Sequence, residues 1–386
     1  MQHTSCKMPR HPEIANDRAQ PIGCGRWSLL LAMTIAMLAG NPLWAQTVEE
    51  IPWDTHESLA WQEVASIADT APVRTWTPFA ELLAWKLTEG SAENWAQEIT
   101  PLGSGSLYGT ASLVEAPFSW NAGLRVGLEI EHPAEEVQAT LSYTYFGTTA
   151  TAQAAGVVYS AFLGNFYADN PDGAAFGPNY RSADLDWDVQ FHTLDLEFGK
   201  TLAISSALAL RPYVGIKGAV IRQNIDSTWH DPIDSSSHTY LYSSATEKLK
   251  QDFWGLGPTL GIHAIAPISI TPSHSVTAYF NPSATLMYGN WTFSDVFQTD
   301  GLTSTTILTP STIAINSEDI HGAATMLRLS CGLQWEQPGR RVTTRLRLGY
   351  EAQVWLNQMQ FYSYNMGRLN NLMSVQGGLL EIGLSF

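Results

Sequence analysis

The residues of this sequence with the clearest capacity for chemistry are charged side chains that recur at alternate positions, opposite apolar residues. The set is Arg125, Glu129, Asp195, Glu197, Arg211, Lys217, Arg328, Arg345, Arg347 and Glu351. Side chains at alternate positions of a β-strand point to the same face. We therefore expect these ten residues to line one polar surface, on which fixed charges would select solutes electrostatically.

Two acidic stretches offer oxygen ligands of the kind that divalent cations bind. One contains Asp169 and Asp172 before Gly173, and the other contains Asp184, Asp186 and Asp188. Neither spacing matches a twelve-residue calcium loop, and short acidic motifs have low specificity. Solvated loops explain both stretches better, so we expect no metal site.

Histidine and aspartate also occur together, which is the composition that an outer-membrane protease would need in its loops. His230 and His238 lie near Asp226, Asp231 and Asp234. No second element supports this reading, and the sequence contains no nucleophile elbow, HExxH, phosphate-binding loop or dinucleotide fingerprint. We therefore expect no enzyme activity, no catalytic residues and no cofactor.

The charged side chains need strands to position them, and ten stretches are candidates. All but the first, whose facing is unclear, alternate between apolar and polar residues with a period of two. The ten stretches are 76–88, 120–131, 137–146, 187–200, 208–221, 249–266, 275–289, 323–336, 342–357 and 374–386. In the fourth stretch, Val189 and Phe191 fall out of phase with Leu194, Leu196 and Phe198. This change of phase predicts a β-bulge or a strand end near His192.

The last stretch ends the chain on an aromatic residue. Leu380, Ile382, Leu384 and Phe386 share one face, and no residue follows. This pattern resembles the closing strand of bacterial outer-membrane barrels, in which such residues form the signal read by the barrel-assembly machinery. The last strand of a soluble sheet is the alternative interpretation.

The lengths of the connections favour the barrel. With the amino terminus placed in the periplasm, the external connections 89–119, 147–186, 222–248, 290–322 and 358–373 are long and polar. The periplasmic connections 132–136, 201–207, 267–274 and 337–341 are short. Short periplasmic turns, long external loops and an even strand number are typical of transmembrane barrels. We therefore predict an all-β protein, a transmembrane antiparallel up-and-down β-barrel of about ten strands. Twelve strands is the alternative, since 235–247 or 298–315 could hold a further pair.

The amino-terminal region has the features of a secretory leader. Residues 27–40 form an apolar run of 14 residues after Arg26, and the sequence NPLWA follows, ending at Ala45. A membrane-spanning helix needs about 20 residues, so we predict a signal peptide over 1–45 rather than an uncleaved anchor. A periplasmic lead-in over 46–75 and a barrel over 76–386 would follow.

The charge of the chain argues against nucleic-acid binding, and its cysteine content argues against an intramolecular disulfide. The 386-residue chain has a formal charge of −16, which becomes −18 once the four basic and two acidic residues of 1–45 are removed. A nucleic-acid-binding protein needs a basic surface, so nucleic acid is not expected as a partner of this acidic chain. After cleavage Cys331 alone remains of three cysteines, which excludes an intramolecular disulfide in the mature chain.

Five segments together resemble a known family. They are WTPFAELLAWKLTEGSAENWA (76–96), GLRVGLEI (123–130), LSYTYF (141–146), LDLEFGK (194–200) and RPYVGIKGAVI (211–221). They are similar to the Legionella-type major outer membrane protein family. The resemblance implies an outer-membrane β-barrel that forms pores and aids surface adhesion. Cysteine-rich relatives crosslink their envelope through disulfides, a role that Cys331 alone, placed toward lipid, does not fit.

Two functional hypotheses follow. The first is a porin-like channel of the bacterial outer membrane for passive diffusion of small hydrophilic solutes or ions. The alternative is a surface structural or adhesion barrel with a closed lumen, whose long loops bind a partner. Ten strands enclose limited space, so both a water-filled path and a packed interior of ion pairs are compatible with the sequence. The expected partners are outer-membrane lipid, the barrel-assembly machinery, the solutes, and further copies of the chain in a homo-oligomer.

Overall fold

The computed structural model describes residues 74–103, 109–160, 179–233, 240, 242–300, 312–316, 319–363 and 367–386. These residues form fourteen strands and two short 3₁₀ helices, Gly90–Glu93 and Pro133–Glu135. The strands are β1 (Thr75–Thr88), β2 (Asn94–Pro101), β3 (Gly109–Glu115), β4 (Trp120–His132), β5 (Val137–Ser160), β6 (Tyr180–Lys200), β7 (Leu202–Ser205), β8 (Leu208–Pro232), β9 (Ser244–Ile270), β10 (Ser275–Thr299), β11 (Thr312–Asn316), β12 (Ile320–Gln337), β13 (Thr343–Ser363) and β14 (Gly367–Ser385). Within these ranges, neither helix is long and apolar enough to cross a bilayer.

Ten of the strands close into a ring. In order around it they are β1, β4, β5, β6, β8, β9, β10, β12, β13 and β14, and β14 pairs with β1 again. All of these pairs are antiparallel. Two backbone hydrogen bonds between Trp76 and Phe386 complete the seam at its end. The predicted ten-stranded antiparallel barrel is confirmed.

The alternative of twelve strands is wrong for the described residues. Residues 244–247 are the start of β9, so the region 235–247 adds no strand of its own there. The strand near 298–315 is β11, which pairs only with β10 and lies outside the ring. The other strands outside the ring are β7, beside β8, and the β2–β3 hairpin, beside β5. These four strands extend the walls without widening the barrel.

An apolar belt covers the outside of the ring. Each of the ten strands presents at least one exposed aliphatic side chain: Leu82, Leu124, Leu141, Leu194, Val214, Leu260, Leu286, Leu327, Leu348 and Leu380. Tyr143, Tyr145, Trp254, Tyr288 and Tyr350 are exposed on the same surface. Ile382, Leu384 and Phe386 also face outward, on the side predicted from the sequence. Their role in assembly remains a prediction.

The two ends of the barrel differ in their connections. At the short-turn end, strands are joined through residues 133–136, 201–207, 271–274 and 338–342. Glu136 adopts a positive φ of 55° in the first of these turns, where its amide donates to the carbonyl of Pro133. The opposite end, which we call the long-connection end, contains the predicted external loops.

These external connections are shorter than predicted because the strands continue into them. Strand β5 runs to Ser160, β8 to Pro232, β10 to Thr299 and β13 to Ser363. The predicted loop 358–373 is strand except for residues 364–366, which are not described. Polar side chains end the lipid-facing part of a strand, but the backbone ladder does not depend on them and continues beyond the belt.

The predicted bulge near His192 is absent, because β6 pairs with both neighbours in unbroken register there. Instead, the apolar residues of β6 change sides. Leu194 and Phe198 face outward in the belt, whereas Trp187, Val189 and Phe191 face inward and are buried. At this height the outward face of β6 changes from apolar to polar residues, while its inward face changes from polar to apolar residues.

The belt predicts a position-dependent effect of charge. Leu260 is 64% exposed in the middle of the outward-facing apolar run of β9. We expect Leu260→Arg to destabilise the folded barrel by about 2–4 kcal/mol, the usual cost of an arginine at mid-depth in a bilayer. Urea titration of the barrel refolded in phospholipid vesicles measures this. The matched control is Thr151→Arg, also outward-facing and exposed but beyond the belt. Equal losses in the two variants would contradict the position of the belt.

Candidate functional site

The ten predicted charged residues all face the interior of the barrel. Six of them are buried, and Glu197, Arg211, Arg328 and Arg347 are partly buried. Two further buried residues join them, Glu81 of β1 and Glu381 of β14. We call these twelve side chains the charged band. It contains six acidic and six basic residues, so its formal charges cancel.

Glu351 of β13 is the most connected acid of the band. Its side chain is 0% exposed and accepts hydrogen bonds from two arginines on different strands. Arg125 Nη2 of β4 lies 2.8 Å from Oε1, and Arg328 Nη2 of β12 lies 3.0 Å from Oε2. Arg125 also forms an ion pair with Glu81. One carboxylate thus fixes two guanidinium groups inside the lumen, in a cluster to which four strands contribute.

A second cluster lies closer to the short-turn end. Arg345 Nη1 of β13 is 2.5 Å from Glu129 of β4, and its Nη2 is 2.7 Å from Glu381 of β14. Arg347 is 3.2 Å from Glu381 and 3.7 Å from Glu129. Two arginines therefore share two carboxylates, and each carboxylate contacts both arginines.

A third group connects the opposite wall. Lys217 of β8 pairs with Asp195 of β6, and Arg328 Nη1 reaches to 3.9 Å from Glu197 of β6. Strands β12 and β6 are four steps apart in the ring of ten. The contact between Arg328 and Glu197 therefore crosses the lumen and joins the third group to the cluster around Glu351.

Little open space remains at this height among the described residues. A polar cavity of about 60 Å³ lies between the clusters, lined in part by Arg211, His263 and Asn281. Arg211 Nη2 is 3.0 Å from His263 Nδ1, so the imidazole nitrogen acts as acceptor. In this conformation the side chains of the band meet across the lumen and leave this cavity between them.

The balance of charges is what makes such an interior stable. Removing an ion from water costs several kcal/mol, which only close and well-oriented partners offset. Each carboxylate of the first two clusters contacts at least one guanidinium, and bidentate arginine contacts are the strongest of this kind. Removing one partner would leave the other buried and uncompensated.

A second obstruction lies between the band and the long-connection end. The rings of Phe191 and Trp355 meet with their centroids 5.3 Å apart. Their strands, β6 and β13, are five steps apart and therefore opposite in the ring. Trp85 packs against Phe146 and Phe191 at 5.6 and 6.3 Å. We call this level the aromatic layer; like the charged band, it bridges the lumen.

Backbone groups tie the aromatic layer together. A register shift between Trp355 and Met359 places a β-bulge in β13, with Asn357 at a φ of 57°. The bulge turns the carbonyl of Gln358 inward, where Trp291 Nε1 and Gln251 Nε2 each donate to it at 2.9 Å. The layer is therefore anchored by hydrogen bonds as well as by ring packing.

Several sequence predictions concern residues outside the lumen. Asp184, Asp186 and Asp188 lie on the outward face of β6, where Asp184 pairs with His230 at 2.9 Å. His230 and Asp226 belong to strand β8 rather than to a loop. No group of three metal-ligating side chains occurs among the described residues. Asp169, Asp172, Gly173, Asp234 and His238 lie outside the described residues. Cys331 is exposed on the outward face of β12.

The predicted set did not include Glu81, Glu381 or His263, which lie among the polar residues of the interior. Glu381 shares the face opposite Leu380 and Ile382, so strand parity alone would have placed it inside. Glu81 shares its inward face with the apolar Phe79, Leu83 and Trp85, which concealed its orientation. The alternation of β9 places His263 on the inward face but gives it no role.

The comparisons with known proteins agree with this architecture. The family model described as "Legionella pneumophila major outer membrane protein precursor" matches residues 70–386. The chain belongs to this family. Together with the closed ring and its apolar belt, membership identifies a bacterial outer-membrane β-barrel protein. A search of curated proteins gave no match.

Solved structures of outer-membrane barrels are similar at low identity. A major outer membrane protein from Thermus thermophilus is 10% identical, with a TM-score of 0.30, over 81% of this chain and 100% of that one. The translocator domain of the autotransporter NalP from Neisseria meningitidis is 10% identical, with a TM-score of 0.31, over 93% and 98%. The toluene transporter TodX of P. putida is 8% identical, with a TM-score of 0.24, over 83% and 91%. Scores this low carry no information on solute or mechanism.

The connectivity of Glu351 gives a prediction for stability. Glu351→Gln should destabilise the barrel by about 3–5 kcal/mol, because Arg125 and Arg328 would lose a buried counter-charge. Urea titration of the protein refolded in vesicles measures this. The control is Asp252→Asn, which removes a carboxylate from the exposed Arg222–Asp252 pair at 3.6 Å. Exposed pairs contribute about 0–1 kcal/mol, so the control should unfold almost as the wild type does. A Glu351→Gln loss no larger than that of the control would show that the network contributes little.

Proposed function

We propose that the protein is an outer-membrane channel for small hydrophilic solutes or ions, and that the conformation described above is its closed state. The charged band is the observation that supports this proposal. It lines the lumen with twelve ionisable side chains where an apolar filling would have avoided the desolvation of charges. Membership of a major outer membrane protein family agrees with the proposal.

The band offers a physical route to opening. Arg125 contacts both Glu81 and Glu351, and Arg345 contacts both Glu129 and Glu381. Each arginine keeps one carboxylate if it releases the other. Partner exchange within the band would therefore widen the lumen without leaving a charge unpaired.

The composition of the band sets an expectation for selectivity. Six acidic and six basic side chains give the lumen no net formal charge. Fixed charges of one sign favour permeant ions of the other sign. We therefore expect weak discrimination between cations and anions, with no covalent chemistry at any step.

A second candidate function rests on the aromatic layer. The contact between Phe191 and Trp355 crosses the lumen, and separating the two rings would expose apolar surface to water. If this contact is permanent, the barrel is a closed structural or adhesion protein whose connections bind a partner. The two candidates differ in one measurable property, which is conductance.

Current through single barrels in a planar bilayer tests the channel. Wild type should give discrete current steps under applied voltage, with a reversal potential near zero in a salt gradient. Arg328→Gln removes a positive charge from the lumen, so its reversal potential should shift toward cation preference. Arg222→Gln removes the same charge from the outward face of β8, where its side chain is 58% exposed. It should leave both step size and reversal potential unchanged.

The outcomes separate the two candidates. Steps that respond to Arg328→Gln and not to Arg222→Gln support a conducting path through the band. A barrel that inserts but shows no steps at any voltage, in wild type and both variants, would overturn the channel and favour the closed barrel. Equal shifts in the two variants would place the conducting path elsewhere.

A further inference from the structure

The segment that follows β1 completes one wall of the barrel. Strand β4 begins at Trp120, whereas its neighbour β5 continues to Ser160 at the long-connection end. Strand β2 fills the resulting gap by pairing with the end of β5, with Ala96 opposite Ser160. We call residues 89–103 and 109–118 the insert segment. Trp95 and Phe118 of this segment are buried, whereas most of its strand β3 is exposed.

The insert segment is packed against the aromatic layer. Trp95 lies 5.6 Å from Trp229 of β8, and Phe118 lies 5.3 Å from Trp187 of β6, measured between ring centroids. Both Trp95 and Phe118 are buried. Outward movement of the segment would therefore open the wall and remove rings from the lumen together.

Glu89, the first residue of the insert segment, reaches across the interior. Its side chain is 0% exposed, and its Oε1 accepts a hydrogen bond from Gln223 Nε2 of β8 at 2.9 Å. Gln223 Oε1 in turn accepts from Trp187 Nε1 at 3.1 Å. Oε2 of Glu89 has no hydrogen-bond partner among the described residues. A carboxyl group thus joins the end of β1 to a wall four strands away, with one oxygen unsatisfied.

The backbone around Glu89 is fixed in a specific turn. Its amide donates to Glu93 Oε1 at 2.9 Å, and its carbonyl accepts from Asn371 Nδ2 of β14. Gly90 has a φ of +57°, and a Cβ at this position would lie 2.6 Å from Asn371 Oδ1. A positive φ and this close approach together require glycine. The turn therefore holds the Glu89 carboxyl in one place.

Among the described residues, no cation forms an ion pair with the Glu89 carboxyl. Glu93, on the same turn, is a neighbouring charged group and is itself acidic. On the strands that contact Glu89 or its partner Gln223, the charged residues Lys86, Asp188 and Arg222 occupy the alternate, outward-facing positions of β1, β6 and β8. An ionised carboxylate here would have one hydrogen bond and no counter-ion, which costs several kcal/mol.

We propose that Glu89 is a proton-operated latch, which holds the insert segment in the barrel wall when protonated and releases it when ionised. The inference rests on the proposed channel, because release of the segment would withdraw Trp95 and Phe118 from the long-connection half of that conducting path. The latch would respond to pH.

The pKa of Glu89 is shifted in the direction that the proposed latch requires. Lys86 and Thr88 are the last outward-facing residues of β1 and are polar, so Glu89 follows the apolar part of that strand. Burial raises the pKa of Glu89 well above its ordinary value, the nearby Glu93 raises this pKa further, and the hydrogen bond from Gln223 opposes the rise. A raised pKa in the latched form means that this form binds the proton more tightly. Latching is therefore complete below the ordinary pKa of a glutamic acid and is lost as pH rises through the raised pKa.

Amide hydrogen exchange of peptides covering residues 89–97 tests the latch directly. Wild type and Glu89→Gln would be compared in phospholipid vesicles between about pH 5 and about pH 9, a range that extends upward from near the ordinary pKa of a glutamic acid. Glutamine keeps the oxygen that accepts from Gln223 but does not ionise. Because chemical exchange itself accelerates with pH, each wild-type rate is divided by the Glu89→Gln rate at the same pH.

The expected ratio is near one at low pH and rises by up to about tenfold per pH unit until it levels off above the raised pKa. Glu115→Gln is the matched control, since Glu115 is an exposed acid of the same segment, and it should behave as wild type. A ratio that stays near one over the whole range would overturn the latch. So would an equal effect of Glu115→Gln.

Conductance separates the latch from the channel on which it rests. With both correct, open probability rises with pH in wild type and stays low in Glu89→Gln. If amide exchange follows the predicted pH dependence but no current flows at any pH, the result supports Glu89 as a conformational switch and contradicts the proposed channel. If current flows but neither current nor exchange responds to pH or to Glu89→Gln, the channel stands and the latch fails.

Discussion

A strand that crosses lipid must find a hydrogen-bonding partner for every backbone amide and carbonyl within the protein, because the hydrocarbon offers none. A sheet meets this requirement only when its first strand pairs with its last. Here that closure is the pairing of β1 with β14, from Thr88 opposite Ser374 to the hydrogen bonds between Trp76 and Phe386. This pairing closes the ring and places the first and last strands of the barrel side by side. Closure also gives the sheet an outer surface, which carries the apolar belt, and an interior, which encloses the charges.

Closure at ten strands creates an interior that side chains can span. Arg328 reaches from β12 to Glu197 of β6, and the rings of Phe191 and Trp355 meet from opposite walls. The two levels are filled by different chemistry. The charged band lies where lipid surrounds the barrel, and the aromatic layer lies toward the long-connection end, beyond part of that belt. At the level of the charged band the outer surface is apolar and the interior is charged. At the level of the aromatic layer the interior is apolar, as in a water-soluble protein.

This division is relevant to function because the two levels resist opening in different ways. Ion pairs with alternative partners rearrange without a large change in charge compensation, whereas packed rings must be displaced as a unit. The insert segment supplies such a unit, since Trp95 and Phe118 belong to it and its turn is held at Gly90 and Asn371. The Glu89 carboxyl group, which lies between this turn and Gln223, is small compared with either layer. It nevertheless connects the insert segment to strand β8.

The sequence by itself predicted an antiparallel barrel of about ten strands, with twelve left open, and the inward direction of residues such as Arg125 and Glu351. It did so because lipid imposes an apolar residue at every second position of each crossing strand, and that period is visible in a single chain. It could not determine which charges meet, since the contacts of Arg328 with Glu197 and of Arg345 with Glu129 depend on the stagger and tilt of strands far apart in sequence. The change of sides between Phe191 and Leu194 was visible as a change of phase, but both a bulge and a continuous strand produce it. Only the tertiary structure decided between them, and only it brought the Glu89 carboxyl beside Gln223, because burial at that point is created by walls that the local sequence does not contain.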